Sequence, residues 1–242
     1  MSLDFTYNKL NMTNRFSGEI WIKYSLFKKV CPHYIELHNI VLNKIKSETR
    51  GIIKNDIKII EAGWWDWYTT KVILDSDSRI TVFSIDNDEK MTKILKKNFW
   101  KNTRVKILFD DILSFLQKQK TNSFDAFVSG FTLHNFNYKY RKLVLIEIYR
   151  VIRSGWFFIN ADKYAISNVS EHRKNLDWQL NKFKLFDNDL LEKEWIKHYI
   201  VDEKEDIIMF EKKKINDLKN IWFKNIKIIY RKKMEAIIFC KV

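Results

Sequence analysis

Four groups able to do chemistry follow one another along this chain: Glu61 just before a turn at Gly63, then Asp86, then Asp111, then His134. Each acid closes an apolar run, Ile59-Ile60 before Glu61, Val82 to Ile85 before Asp86, and Val105 to Phe109 before Asp110-Asp111. A carboxylate at a strand end can accept from both hydroxyls of a ribose, the role that suits Asp86 with Asn87 beside it. The next acid, Asp111, could accept from the amino group of an adenine while Ile112 packs on the ring. A glycine between strand and helix lets a ligand lie against backbone, where the free N–H groups and positive dipole end of the helix point. This order is that of a nucleotide-cofactor site in an open α/β sheet. Ser129-Gly130-Phe131-Thr132-Leu133-His134-Asn135-Phe136 would line the crevice at the sheet top, with His134 as candidate base. Each piece also has a plain structural reading. Asp86 fits a strand-end turn, Asp110-Asp111 a helix N-cap pair and His134 a hydrogen-bonded structural histidine.

The elements that must hold these groups alternate. Strand-like runs at 57–62, 80–85, 105–109, 124–129 and 155–160 are separated by helical patterns at 68–75, 88–99, 111–119 and 139–152. Such alternation predicts an α/β fold with a parallel sheet and helices on both faces. Before it, residues 1–19 read as an arm, and 20–47 as two helices separated at Pro32. After it, the charged helical stretch 164–219 reads as a lid, and 225–231 with 235–241 as an antiparallel hairpin at the sheet edge. The division is an arm and helical cap (1–50), a cofactor-binding core (51–163), the lid (164–219) and the hairpin returning to the core (220–242).

Composition sets the bounds. The 242 residues suit one domain with a sizeable core. Cys31 and Cys240 make neither a disulfide framework nor a metal spacing, so a reducing, cytoplasmic setting and no metal are expected. No apolar run reaches the roughly 20 residues of a membrane span. The net charge of +14 could mark a nucleic-acid partner, but the lysines are spread along the chain. Glycine is scarce, with 5 residues, while tryptophan reaches 9.

These residues give the chain a resemblance to the class I S-adenosylmethionine-dependent methyltransferases, the small-molecule type of the ubiquinone/menaquinone-biosynthesis branch. It is carried by Glu61-Ala62-Gly63 at the first motif, Ser84-Ile85-Asp86, Asp111-Ile112, Phe124-Asp125-Ala126-Phe127-Val128-Ser129, and Glu147 to Trp156 before the fifth strand. The resemblance implies a Rossmann-like seven-stranded, mostly parallel sheet with an antiparallel C-terminal hairpin. It also implies S-adenosylmethionine as cofactor, held by Glu61, Gly63, the positions of Trp65 and Trp67, Asp86, Asn87, Asp111, Ile112 and Ser129. The acceptor expected is a small, partly apolar molecule. Phe131, Leu133 and Phe136 line the crevice, Asp162, Lys163 and Tyr164 follow the fifth strand, and no Pro-Pro-aromatic motif for nucleic-acid bases follows Ser129. His172 and His198 are expected on solvated faces of the lid. An RNA methyltransferase, or a binding protein on an inactive methyltransferase fold, is the alternative.

The departures from the family pattern share one residue type. Trp65 and Trp67, with Trp64 beside them, stand where the motif places glycines; Trp156 follows the single glycine of a Gly-Gly turn, and Trp222 precedes Phe223 where glycine is usual. Trp178 and Trp195 sit in amphipathic contexts and read as ordinary tryptophans. A cofactor lost with its scaffold kept, or a pocket remodelled for another ligand, would each explain the first group. One cause explains the glycine deficit as well: glycine codons read as tryptophan, as UGA would be where the genetic code assigns it to glycine. UGG at 65, 67 and 156 would end that reading. As written, an indole of roughly 150–250 Å² at 65 or 67 is expected to weaken cofactor binding. A further 1–3 kcal/mol or so follows wherever the backbone needs a left-handed residue.

Overall fold

The computed structural model describes residues 20, 26–63 and 67–242. The arm at 1–19 and the residues Trp64, Trp65 and Asp66 of the first-motif turn lie outside them. Seven strands form one sheet in the order β3-β2-β1-β4-β5-β7-β6. They are β1 (Ile57–Ala62), β2 (Ile80–Asp86), β3 (Val105–Phe109), β4 (Phe124–Gly130), β5 (Ile152–Lys163), β6 (Lys224–Lys232) and β7 (Glu235–Lys241). The first five pair in parallel, and β7 runs antiparallel to both β5 and β6. The expected hairpin is thus inserted with its second strand inward, leaving β6 at the edge.

The central strand shows why the order works. In β1, Ile57, Ile59, Ile60 and Ala62 are all fully buried, because helices cover both faces of a parallel sheet. One apolar core joins that sheet to α2 (Tyr34–Thr49), α3 (Tyr68–Ser76) and α4 (Glu89–Phe99). The other joins it to α5 (Ile112–Gln117), α6 (Tyr138–Val151) and α9 (Glu211–Asn220). Pro32 lies between the short α1 (Phe27–Val30) and α2, as its missing N–H requires. Side-chain caps start the helices on time: Asp88 accepts from Lys90 and Met91 N–H, Asn137 from Tyr140 N–H, and Asp111 from Ser114 N–H.

The segment 164–219 divides by packing. Within it, α7 (Val169–Lys182) and α8 (Asp189–Asp202) close over α1. Gln179 donates to the Val30 carbonyl at 3.1 Å, and Trp195 stacks on Phe27 with centroids 4.8 Å apart. The third helix, α9, instead puts Leu218 into the core beneath the sheet. Its C-terminus is a Schellman motif: Phe223 N–H donates to Leu218 O and Trp222 N–H to Lys219 O. Trp222 therefore occupies the left-handed position, φ +74°, with its ring 73% exposed. The other described tryptophans have negative φ. Trp67, at φ −55°, carries no left-handed penalty, so the strain allowed for at that position is absent.

Candidate functional site

The tips of β1, β2 and β3 lie side by side and are stitched by backbone. Gly63 N–H donates to Ile85 O at 3.0 Å, and Asp110 N–H donates to Asp86 O at 3.1 Å. This brings Gly63, Asp86 and Asp111 to one ledge at the sheet top. Gly63 is left-handed, φ +67°, and a Cβ there would stand 2.3 Å from Thr132 Oγ1. Thr132 is held in place by the Ala62 and Gly130 carbonyls, each 2.9 Å from its hydroxyl. Only glycine meets both conditions.

Glu61 is buried beneath this ledge and accepts from Ser84 Oγ and, at 2.7 Å, from Thr70 Oγ1 at the start of α3. Asp86 is half-buried, and its Oδ1 accepts from Asp88 N–H at 2.8 Å in a strand-end turn; Asn87 is exposed. Asp111 caps α5 through Oδ1 and accepts from the Tyr140 hydroxyl through Oδ2, while Ile112 is buried behind it. Burial, then the Asp111 charge, drives the Tyr140 phenol pKa upward, so it stays a donor. The structural readings of Asp86 and Asp111 are both realised, yet each carboxylate oxygen carries two lone pairs and can accept once more. Ser129 is turned away: its hydroxyl donates to Asn160 Oδ1 at 2.6 Å inside the sheet, and Asn160 in turn donates to Tyr164. Tyr164, expected at the acceptor pocket, is fully buried in the core beneath the sheet.

Trp67 starts α3 with its ring 6.2 Å from that of Tyr68. Lys28 Nζ sits 4.7, 5.2 and 5.9 Å from the ring centroids of Tyr68, Tyr34 and Trp67, so these faces already hold one cation.

Across the crevice, the turn after β4 and the end of β5 place His134 against Asp162. His134 Nδ1 lies 2.5 Å from Asp162 Oδ1, and Asp162 also accepts from the backbone N–H of Lys163 at 2.9 Å. An ionised carboxylate only accepts, so His134 Nδ1 carries a proton, and Nε2 lies on the far side of the ring from Asp162. It points toward α8. There His198, expected on a solvated face, is only 5% exposed; it lies next to Trp195 and Tyr199, with Asp202 one turn on. That expectation failed because α8 packs on the crevice rather than on solvent; the spacing Trp195, His198, Tyr199, Asp202 on one helix was the available signal. His172, by contrast, is half-buried and pairs with Glu203 at 2.7 Å. Phe27, Phe131, His134, Lys163, Trp195, His198 and Tyr199 enclose a cavity of about 10 Å³, the room of one water.

A seven-stranded sheet in this order, with its last strand antiparallel and a glycine turn beside strand-end acids, has the class I methyltransferase architecture. Comparison with known proteins agrees. Residues 68–159 match the family model described as a methyltransferase domain. The CurJ carbon methyltransferase superposes with a TM-score of 0.68 at 13% identity, over 91% of this chain and 58% of that one. PigF, solved with SAH, gives 0.55 at 13% identity, over 81% of this chain and 53% of its own. A putative S-adenosyl-L-methionine-dependent methyltransferase of Methanococcus maripaludis gives 0.56 at 17% identity, over 90% and 89%. The chain thus spans a little over half the length of the first two and nearly all of the third. No curated protein sequence matches it significantly. Among the described residues, no helix is long and apolar enough to cross a membrane.

Proposed function

We propose that the chain is an S-adenosylmethionine-dependent methyltransferase acting on a small, partly apolar acceptor. The observation that carries this is the ledge made by three adjacent strand tips, with a glycine that admits no Cβ at one end and half-buried acids beside it. A cofactor fits these residues: Gly63, packed against Thr132, turns the chain beside the site, Asp86 stands where the ribose hydroxyls would fall, and Asp111 with Ile112 flanks the adenine position. Glu61 braces the helix start through Thr70 rather than reaching the ligand itself. Bound there, S-adenosylmethionine supplies a methyl group on a sulfonium.

The remaining work falls to proximity, orientation and a dry crevice. Phe27, Phe131 and Trp195 exclude water from the crevice, and His134 Nε2 takes the proton that the acceptor's nucleophilic atom gives up. Asp162 is a positioning residue, since it fixes the tautomer through Nδ1. The experiment is calorimetry with S-adenosylmethionine and S-adenosylhomocysteine on the written chain and on the Trp65→Gly/Trp67→Gly variant. Weak or absent binding by the former and clear binding by the latter is expected, and Asp86→Ala should remove it. A glycine-restored chain that binds neither, or binds them regardless of Asp86, overturns the reading.

A further inference from the structure

We infer that His134, His198 and Asp202 form a site for a divalent first-row transition ion between α8 and the sheet top. No Cys/His spacing announces it, and the expectation of no metal came from that lack; the fold assembles it from two distant segments. His134 Nε2 and His198 Nε2 each lie 3.8 Å from Asp202 Oδ2, and the three donor atoms fall within 4.8 Å of one another. The ligands are 5%, 5% and 3% exposed. An ion about 2.0–2.2 Å from each donor would draw each imidazole toward Asp202 by a few tenths of an ångström and the two imidazoles toward each other by up to about an ångström. His198 and Asp202, four apart, share one face of α8.

The surroundings favour an ion. Asp162 holds the His134 Nδ1 proton, the carboxylate–histidine arrangement that supports metal-binding imidazoles. The buried carboxylates Asp162 and Asp202 lie here among the charges of Lys163 and Arg141. Lys163 donates to Asp202 Oδ2 and rests 4.0 Å from the Tyr199 ring centroid, so its ammonium holds the cation position that an ion would take over. The adjoining cavity, one water in size, suits an ion's exchangeable ligand. Two imidazoles with one carboxylate, leaving open positions, is a donor set for iron(II), zinc or cobalt rather than magnesium or calcium.

The inference goes beyond methyl transfer and does not rest on it. The two uses of Nε2 exclude each other, because a lone pair given to an ion cannot take a proton. Filling the site therefore clamps α8 to the sheet and silences the base.

The test uses the full chain, freed of metal by a chelator, titrated with Zn²⁺ by calorimetry and with Co²⁺ by visible absorption. One equivalent should bind, with ligand-field bands from a nitrogen–oxygen set and a rise in melting temperature. His198→Ala and Asp202→Asn should remove binding, Asp162→Asn should weaken it about 10–100-fold, and His172→Ala should leave it unchanged. Lys163→Met removes the competing cation and should tighten binding about tenfold or more, a gain that a misfolded variant could not give. Absent binding, binding that survives His198→Ala and Asp202→Asn, or no tightening in Lys163→Met would each overturn the site.

Discussion

Over β1, β2 and β3 the sheet top offers backbone and half-buried carboxylates, each resting on an N–H of its own turn. Over β4, β5 and β7 it offers His134, Asp162, Lys163 and Glu235, nearly all removed from water and facing His198 and Asp202 of α8. The first half is complementary to a ligand that brings its own polar groups. The second half holds ionisable groups whose burial costs free energy unless they are paired, and such costs collect where proton or ion chemistry takes place. Under the proposed function, one half recognises and the other reacts.

The sharpest way to break this contrast is to remove one group from the reacting half. In the glycine-restored chain, His134→Ala should lower methyl transfer by about 10²–10⁴-fold while cofactor affinity, read by calorimetry, stays unchanged; loss of both would merge the two halves. Trp195→Ala should cost about 3–5 kcal/mol in urea unfolding, because the indole stacks on Phe27 and Phe183 with 2% exposure.

Two buried ionisable groups, Glu235 in the reacting half and Lys214 on α9 beneath the sheet, then give the chain a pH signature. Burial raises the Glu235 pKa to about 7, and burial followed by the Arg141 charge lowers that of Lys214 to about 7. Between about pH 4.5 and 7 the folded chain keeps a proton on Glu235 that the unfolded chain has released, so stability falls as pH rises. Above about pH 7 the unfolded chain keeps a proton on Lys214 that the folded chain has released, so stability climbs again toward pH 10.5. A minimum near neutrality follows, with a lower limb of up to about 3 kcal/mol and an upper limb of up to about 5 kcal/mol at about 1.36 kcal/mol per pKa unit. Glu235→Gln should flatten the lower limb and Lys214→Met the upper, both read from urea midpoints across pH.

In the recognising half, Gly63→Ala should cost about 1–3 kcal/mol and abolish cofactor binding in the glycine-restored chain, since Thr132 already fills the Cβ position. The smallest effect lies outside both halves. Trp222→Gly should stabilise the chain by about 1 kcal/mol, relieving a left-handed residue whose ring is mostly exposed. Among the described tryptophans this one has the backbone a glycine would choose, and reading its codon tests directly whether a glycine was intended.

The recognising half was legible because it is local. A strand, a glycine turn and the next strand's acid follow in order, and parallel pairing then sets their tips side by side. Most strand and helix bounds were legible for the same reason, with apolar runs and caps such as Asp88 and Asn137 falling where the periodicity changes; the fifth strand, expected at 155–160, instead runs over Ile152–Lys163. The reacting half was legible only in pieces. His134, Asp162 and Lys163 could be named from their strand ends, but His198 read as a solvated face, since nothing local says which side of α8 meets the crevice. Ser129 and Tyr164 were misplaced by the pleat: each belongs to a strand end facing the crevice, yet its side chain joins the Asn160 chain inside the sheet.

The cavity beside His134 admits a single water, and Trp195 on Phe27 forms its roof. Under the proposed function, an acceptor larger than water would enter only once that indole is displaced, and the product would leave the same way. Turnover would then follow solvent viscosity more closely than the leaving ability of the sulfonium, with the helix pair as the slow step.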